Sequence, residues 1–182
     1  MQIPACDPVC RRASEHIVLI LPNAGGAELH VSEMARCFAQ RGYAPTLLCS
    51  SFPGASPEEQ QDGLRVVRFG NRFTYYARLP GRVRREAHQA GTVILEHFNK
   101  LPFCTALYTK QPLVVVTHHL FGATAFQQVP VPVATVVYLA EKLIPWCYGR
   151  AQFVAVSPST RDDLVARGIA ERRIRVVPNG LD

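Results

Sequence analysis

The chain has 182 residues, enough for one domain with a substantial core. With 48% hydrophobic and 19% charged residues it has a globular rather than a disordered composition, and no uninterrupted apolar run approaches the roughly 18 residues of a membrane-spanning helix. A formal charge of +6 points to anionic company: a phosphorylated substrate, a membrane surface or a nucleic acid.

Residues 1–15 contain Pro4, Asp7, Pro8, Arg11 and Arg12 and no apolar stretch, so they are expected to be an N-terminal extension and not a signal peptide. Cysteines fall at 6, 10, 37, 49, 104 and 147. None forms a C-x-x-C pair, and Cys6 and Cys10 have no matching second pair, which argues against zinc. Cys37 and Cys49 sit in core-like patterns. Reduced thiols in a cytoplasmic protein are the plain expectation.

Short β-branched runs recur along the chain: His16–Leu21, Pro45–Ser50, Leu64–Phe69, Thr92–Glu96, Leu113–Thr117, Phe153–Ser157 and Ile174–Val177. Several are apolar on both faces, as strands of a parallel sheet between helices must be. The first is followed by Pro22, Gly25 and Gly26 and then a helix over Ala27–Arg41. In that helix Val31, Met34, Ala35, Phe38 and Ala39 make one apolar stripe, and Gly42 stands where its C-terminus needs a left-handed residue. Ser50–Gly63 is polar and rich in turn residues, as a linker would be. Further helices are expected over Arg82–Ala90, after a break at Pro80–Gly81, over Ala134–Tyr148, and over Thr160–Arg167, where Ser159 and Asp162 have capping-box spacing. Strands alternating with helices predict a doubly wound α/β domain with a mostly parallel sheet and helices on both faces, a Rossmann-like α/β/α sandwich.

In such a sheet, ligands bind beyond the carboxyl ends of the strands. Gly25 and Gly26 lie there, at the mouth of the first helix, where close backbone approach and free N–H groups suit a phosphate; a tight turn without a ligand is the plain alternative. There is no G-x-x-x-x-G-K-[ST] and no G-x-G-x-x-G, and the second strand ends without the acid that holds a cofactor ribose, so a P-loop is excluded and a dinucleotide site is weakly supported. Glu96, His97 and Asn99 close one strand, and His118 and His119 follow another in "VVVTHHLFG". A histidine at that edge can donate to a substrate oxygen, or the two can be plain loop histidines, one buried and one solvated. Adjacent extended side chains point apart, which disfavours a metal pair. Ser157 ends "FVAVS" and reads best as a helix cap. Asn179–Gly180 reads as a turn after the last strand. Arg65, Arg68, Arg72, Arg78, Arg82, Arg84 and Arg85, interleaved with aromatics, form either a solvated face or a candidate contact with anionic lipid headgroups. No nucleic-acid-binding signature accompanies them, and no nucleic acid partner is expected.

"GGAELHVSEMARCFAQRGYAPTLLCS" and "FVAVSPSTRDDLVARGIAERRIRVVPNGLD" resemble the first loop–helix–strand and the last strand–helix–strand of the N-terminal domain of family-4-type retaining glycosyltransferases. "ILEHFNKLPF" and "VVVTHHLFG" match segments between them, so the resemblance spans about residues 16–182. It implies the N-terminal, acceptor-side half of a GT-B fold, with the donor domain absent from this chain. It implies a nucleotide-sugar donor as co-substrate, a sugar or lipid-linked acceptor and no bound metal. It places Gly25 and Gly26 near the donor phosphate and makes His118 the catalytic-site histidine on the transferred sugar. His119 stands where members often have Asp. Glu96, Asn99, His119, Ser157 and Asn179 are the further expected substrate-binding positions. The family's basic residue and glutamate pair for the leaving diphosphate belong to the second domain. The chain alone is therefore expected to be inactive, a partner to a separate donor-domain chain, or else a non-catalytic module that binds sugar, lipid or protein. The expected location is the cytoplasm, with the arginine stretch as the candidate peripheral membrane contact.

Overall fold

The computed structural model describes residues 16–21, 27–71, 73–98 and 101–178. In chain order these form β1 (His16–Ile20), α1 (Ala27–Gln40), β2 (Ala44–Ser50), β3 (Glu58–Gln61), β4 (Leu64–Phe69), α2 (Tyr75–Glu86), β5 (Val93–Phe98), β6 (Leu113–Thr117), α3 (Ala125–Gln128), α4 (Val131–Lys142), α5 (Ile144–Cys147), β7 (Gln152–Ala155), α6 (Pro158–Ala166) and β8 (Ile174–Val176). The strands make one sheet in the order β3-β4-β2-β1-β5-β6-β7-β8, parallel throughout except for β3. The strand order reverses beside β1, which pairs with β2 on one side and β5 on the other. That reversal is the place where an open α/β sheet leaves a crevice at its carboxyl edge.

Alternation along the strands sends apolar side chains to both faces. Ile17, Leu19 and Leu21 of the first strand segment pack with Val31 and Ala35 of α1. Val18 and Ile20 face the other way, into the larger core that holds Tyr75, Leu79 and Val83 of α2, Ile144 of α5 and Leu164 of α6. The α1 helix ends as expected: Gly42 takes φ +86°, and the N–H groups of Gly42 and Tyr43 return to the carbonyls of Ala39 and Phe38. Cys37, expected in the core, is exposed on the outer face of α1.

Four segments differ from the sequence expectation. The polar stretch before Gly63 is not only a linker, because it contains β3, an antiparallel edge strand turned back on β4 at Asp62–Gly63. Both turn residues have positive φ, as a two-residue Asp-Gly hairpin requires. The β3 sequence EEQQ is wholly exposed, so no apolar alternation announces it; ion pairs of Glu58 with Arg65 (2.6 Å) and Glu59 with Arg68 (2.7 Å) tie it to β4.

The second helix begins at Tyr75 and runs through Pro80. A proline inside a helix costs about 3 kcal/mol, whereas burying each of Tyr75, Leu79 and Val83 contributes about 1.5–3 kcal/mol, so tertiary burial outweighs the break. The buried Tyr75 hydroxyl also donates to the Leu48 carbonyl (2.8 Å), and its ring stacks on Phe69. The third expected helix starts earlier, at Val131, and divides at Leu143, because Pro145 has no N–H to donate to the carbonyl one turn back. The last helix starts at Pro158, whose fixed φ suits the first helical position, so Ser157 and not Ser159 is its N-cap.

Gly63 tests the hairpin. Its φ of +81° disfavours any side chain, and a Cβ there would lie 2.9 Å from the Ala39 Cβ. Gly63→Ala is expected to lower stability by about 1–3 kcal/mol in urea unfolding.

Candidate functional site

All the parallel strands end on one edge, so β5, β6 and β7 deliver Glu96–Phe98, His118–His119 and Ser157 to the same side of the molecule as the mouth of α1. Alternation separates neighbours within β5: Glu96 turns toward the α2 side and His97 toward the α1 side.

Glu96 is fully buried. Its Oε1 accepts from the Phe103 N–H (3.1 Å) and from the Tyr148 hydroxyl, which itself accepts from the Cys104 N–H (2.9 Å). Burial pushes the Glu96 carboxyl above the usual carboxylate range, against the lowering effect of the hydrogen bonds from Tyr148, Thr105 and Phe103. Burial, reinforced by the Glu96 charge, pushes the Tyr148 phenol well above its ordinary value. The carboxyl group expected to meet substrate is thus turned inward and holds the segment from Phe103 to Thr105 in place. Cys104 in that segment has φ +53° and its thiol faces that of Cys147 (Sγ–Sγ 2.8 Å); burial pushes the Cys104 thiol up to about 12.

The two histidines of interest come from different strands. His97, fully buried, stacks at 5.9 Å and 27° on His118, which is half-buried above it. His119 points away, is exposed, and lies edge-on to Phe121 at 4.5 Å. The His118 carbonyl accepts from the Thr160 hydroxyl (3.1 Å), and the Thr160 N–H donates to the Ser157 hydroxyl (3.1 Å). Ser157 is therefore the cap of α6, as its spacing suggested, and the capped turn is fastened to the His118 backbone.

The loop beyond His119 is held by a residue that the sequence reading did not single out. Glu141, buried in α4, accepts from the N–H groups of Phe121 (2.7 Å) and Gly122 (2.9 Å) and pairs with Arg167 (2.8 Å). Nothing in "LAEKL" distinguishes this glutamate from a solvated helix residue; a single acid within an otherwise apolar helix was the only available signal. Tyr148 and Arg167 were missed for the same reason.

Gly25, Gly26, Asn99 and Asn179 lie outside the described residues. Within the arginine stretch, Arg65 pairs with Glu58 and Glu86, Arg68 with Glu59 and Arg82 with Glu86, while Arg78, Arg84 and Arg85 are exposed. Among the described residues no group of three His, Cys, Asp or Glu side chains is placed to hold a metal ion, and no helix is long and apolar enough to cross a membrane.

Two measurements probe this scaffold. Glu141→Ala would leave two N–H groups and the Arg167 charge without their acceptor, and should cost about 3–5 kcal/mol in chemical denaturation. For Glu96 the raised folded pKa means that the folded state keeps its proton where the unfolded chain has lost it. Its contribution is fullest below the unfolded value of about 4.3 and declines as pH rises toward the folded value. Glu96→Gln lacks this titration, so its stability relative to the parent should increase from acid to neutral pH; a flat difference would show that the buried carboxyl titrates normally.

Comparison with known proteins places this edge in context. The model of Glycosyltransferase Family 4 matches residues 24–182. A search of curated protein sequences finds no match. Among solved structures, a glycosyltransferase from Rickettsia africae matches with TM-score 0.64 at 14% identity, over 94% of this chain and 44% of its own. Anabaena HepE in complex with UDP-glucose matches with TM-score 0.53 at 15% identity, over 92% and 44%. An Escherichia coli protein described as trehalose-6-phosphate bound with UDP-2-fluoro glucose matches with TM-score 0.57 at 11% identity, over 92% and 49%. The chain thus spans about half the length of these structures, and the TM-scores show a common fold. With its mostly parallel eight-stranded sheet, reversed strand order and family match over nearly the whole described length, this chain belongs to glycosyltransferase family 4 and has the fold of the N-terminal half of a GT-B glycosyltransferase.

Proposed function

We propose that this chain is the acceptor-side domain of a retaining glycosyltransferase that uses a nucleotide-sugar donor, and that turnover requires a donor-binding domain facing its carboxyl edge. The observation that carries the reading is the convergence, within one family-4 domain, of the His97–His118 stack and the mouth of α1 on that edge. The donor complexes of HepE and of the E. coli protein belong to those proteins; they make a nucleotide sugar the natural donor class to test here.

Each group has a defined task in this reading. His118, with its backbone fixed by Thr160 and its ring stacked on buried His97, donates a hydrogen bond to a hydroxyl of the transferred sugar. The bond from the anomeric carbon to the diphosphate breaks, the acceptor oxygen takes its place on the same face, and the acceptor hydroxyl's proton passes to the leaving diphosphate oxygen. Negative charge develops on the leaving diphosphate, and a fixed donor or dipole aimed at that charge lowers the barrier. Gly25 and Gly26 would let a phosphate oxygen approach the backbone ahead of the 14-residue α1, whose N-terminus carries a partial positive charge. One helix end supplies only part of the neutralisation, and the remainder falls to cationic groups of the donor domain. No metal is assigned a role. The acceptor is a sugar or a lipid-linked sugar, and the location is the cytoplasm. The second reading is a non-catalytic module that binds a sugar, a lipid surface or a partner domain.

The test is release of nucleoside diphosphate from a panel of nucleotide sugars, by this chain alone and mixed with the product of the adjacent reading frame. Turnover only in the mixture is expected, unchanged by EDTA, and lowered about a hundredfold or more by His118→Ala. Turnover by neither preparation favours the binding module, and turnover by the chain alone overturns the requirement for a donor-binding domain.

A further inference from the structure

The α4 helix is anomalous for its place in the fold. Its sequence, VPVATVVYLAEK, is apolar nearly all round, and such a helix is ordinarily buried. Here it buries only Ala134, Val137 and Glu141, and packs mainly on α3, the turn before α3, and α5, away from the strands. Val136, Leu139, Leu143 and Trp146 are all exposed and follow one another at helical spacing through α4 and α5. Trp146 is 84% exposed. Leu107, also exposed, extends this face on the short turn against which α5 packs, and Arg150 joins that turn by donating to the Ala106 and Thr109 carbonyls.

Charge selects the occupant. From His97 to Arg161 the sequence contains a single carboxylate, Glu141, and it is buried beneath Phe121, Gly122 and Arg167. The same stretch carries Lys110, Lys142 and Arg150, all exposed. The carboxylates of neighbouring α6, Asp162 and Asp163, pair with Arg161 and Arg167. An exposed apolar stripe with an indole, a cationic rim and no unpaired acid of its own matches the interface of an anionic bilayer, where apolar side chains enter the acyl boundary and lysines and arginines meet headgroup phosphates. The arginine stretch of β4 and α2 makes a weaker candidate, because Arg65, Arg68 and Arg82 already pair with glutamates.

We propose that the α4–α5 face, centred on Leu139, Leu143 and Trp146, docks this protein on an anionic lipid bilayer. Trp146 is the only tryptophan in the chain, so its emission reports on this face directly. The experiment titrates the 182-residue chain with vesicles of phosphatidylcholine alone and of phosphatidylcholine with phosphatidylglycerol, reading tryptophan emission and co-sedimentation. The vesicles carry no sugar donor or acceptor, so the result is independent of the transferase assignment. The expected result is a shift of emission to shorter wavelength and binding at least about tenfold tighter to the anionic vesicles, weakened by added salt. Leu139→Gln with Leu143→Gln should reduce that binding at least about tenfold while far-ultraviolet circular dichroism is unchanged, since both side chains are exposed. Three outcomes overturn the proposal. The first is no shift and no sedimentation. The second is a shift that depends on protein concentration without lipid, which assigns the face to a second copy of the chain. The third is lipid binding untouched by the leucine changes and lost with Arg78→Ser, Arg84→Ser and Arg85→Ser, which assigns the membrane contact to α2.

Discussion

The carboxyl edge of this sheet depends on the hydrogen bond between Tyr148 and Glu96, buried where β5 ends. A parallel sheet packed on both faces leaves its strands almost no polar side chains of their own, so whatever chemistry the domain performs must be carried by loops. Those loops leave strands whose hydrogen bonds end at the edge, and something must fix them. Glu96 does so by accepting from the Phe103 N–H and from the phenol of Tyr148, which in turn receives the Cys104 N–H. A buried carboxyl normally disfavours a fold. Here its raised proton affinity and the two hydrogen bonds accepted by Oε1 limit that cost, while loss of the acceptor would leave buried donors with no alternative.

Glu141 repeats the device on the next loop, with a different partner. Its two backbone hydrogen bonds hold Phe121 and Gly122, and Arg167 supplies the countercharge that Tyr148 does not supply to Glu96. Between these anchors lies the His97–His118 stack, fixed from below by burial of His97 and from the side by Thr160. His118, half-buried at this edge, is thus held through three separate elements: β5, β6 and the capped turn of α6. Such support suits a group that must keep its orientation toward a ligand, because a rotamer locked by neighbours loses little freedom on binding.

Much of this architecture was legible because its strands are apolar on both faces. The runs Leu64–Phe69 and Leu113–Thr117 coincide with β4 and β6, and α1 follows its apolar stripe to within a residue. Where legibility failed, long-range contacts had overridden a local signal. β3 is EEQQ and has no apolar face to betray it; its pairing depends on arginines of the next strand. Pro80–Gly81 looks like a break, yet Leu79 and Val83 are buried on either side and carry the helix through. The site divides in the same way. Position along the chain put His118 and Ser157 just past the carboxyl ends of their strands, where the structure has them. Glu141, Tyr148 and Arg167 act across 19 or more residues of sequence, and in isolation each resembles an ordinary helix or loop residue. Glu96 was found by position, but position could not tell that its carboxyl turns into the core.

The two carboxylate anchors also connect regions that the sequence keeps apart. Glu141 sits on α4, and the loop it holds begins at His118 and His119. The exposed Leu139 and Leu143, two residues to either side of Glu141, are therefore within one helix turn of a side chain that grips the loop after His118. The outer face of α4 and that loop are joined by a short, mostly buried path: helix backbone, Glu141 carboxylate, Phe121 and Gly122 N–H groups. The same carboxylate pairs with Arg167, just past the end of α6, whose opposite end is capped by Ser157 and fastened to the His118 carbonyl through Thr160. Both ends of α6 thus connect to the segment from His118 to Gly122, so α4, α6 and that segment form one hydrogen-bonded unit beside the sheet. Whatever covers the apolar face of α4 does so on an element hydrogen-bonded to the candidate site, not on a remote decoration of the fold.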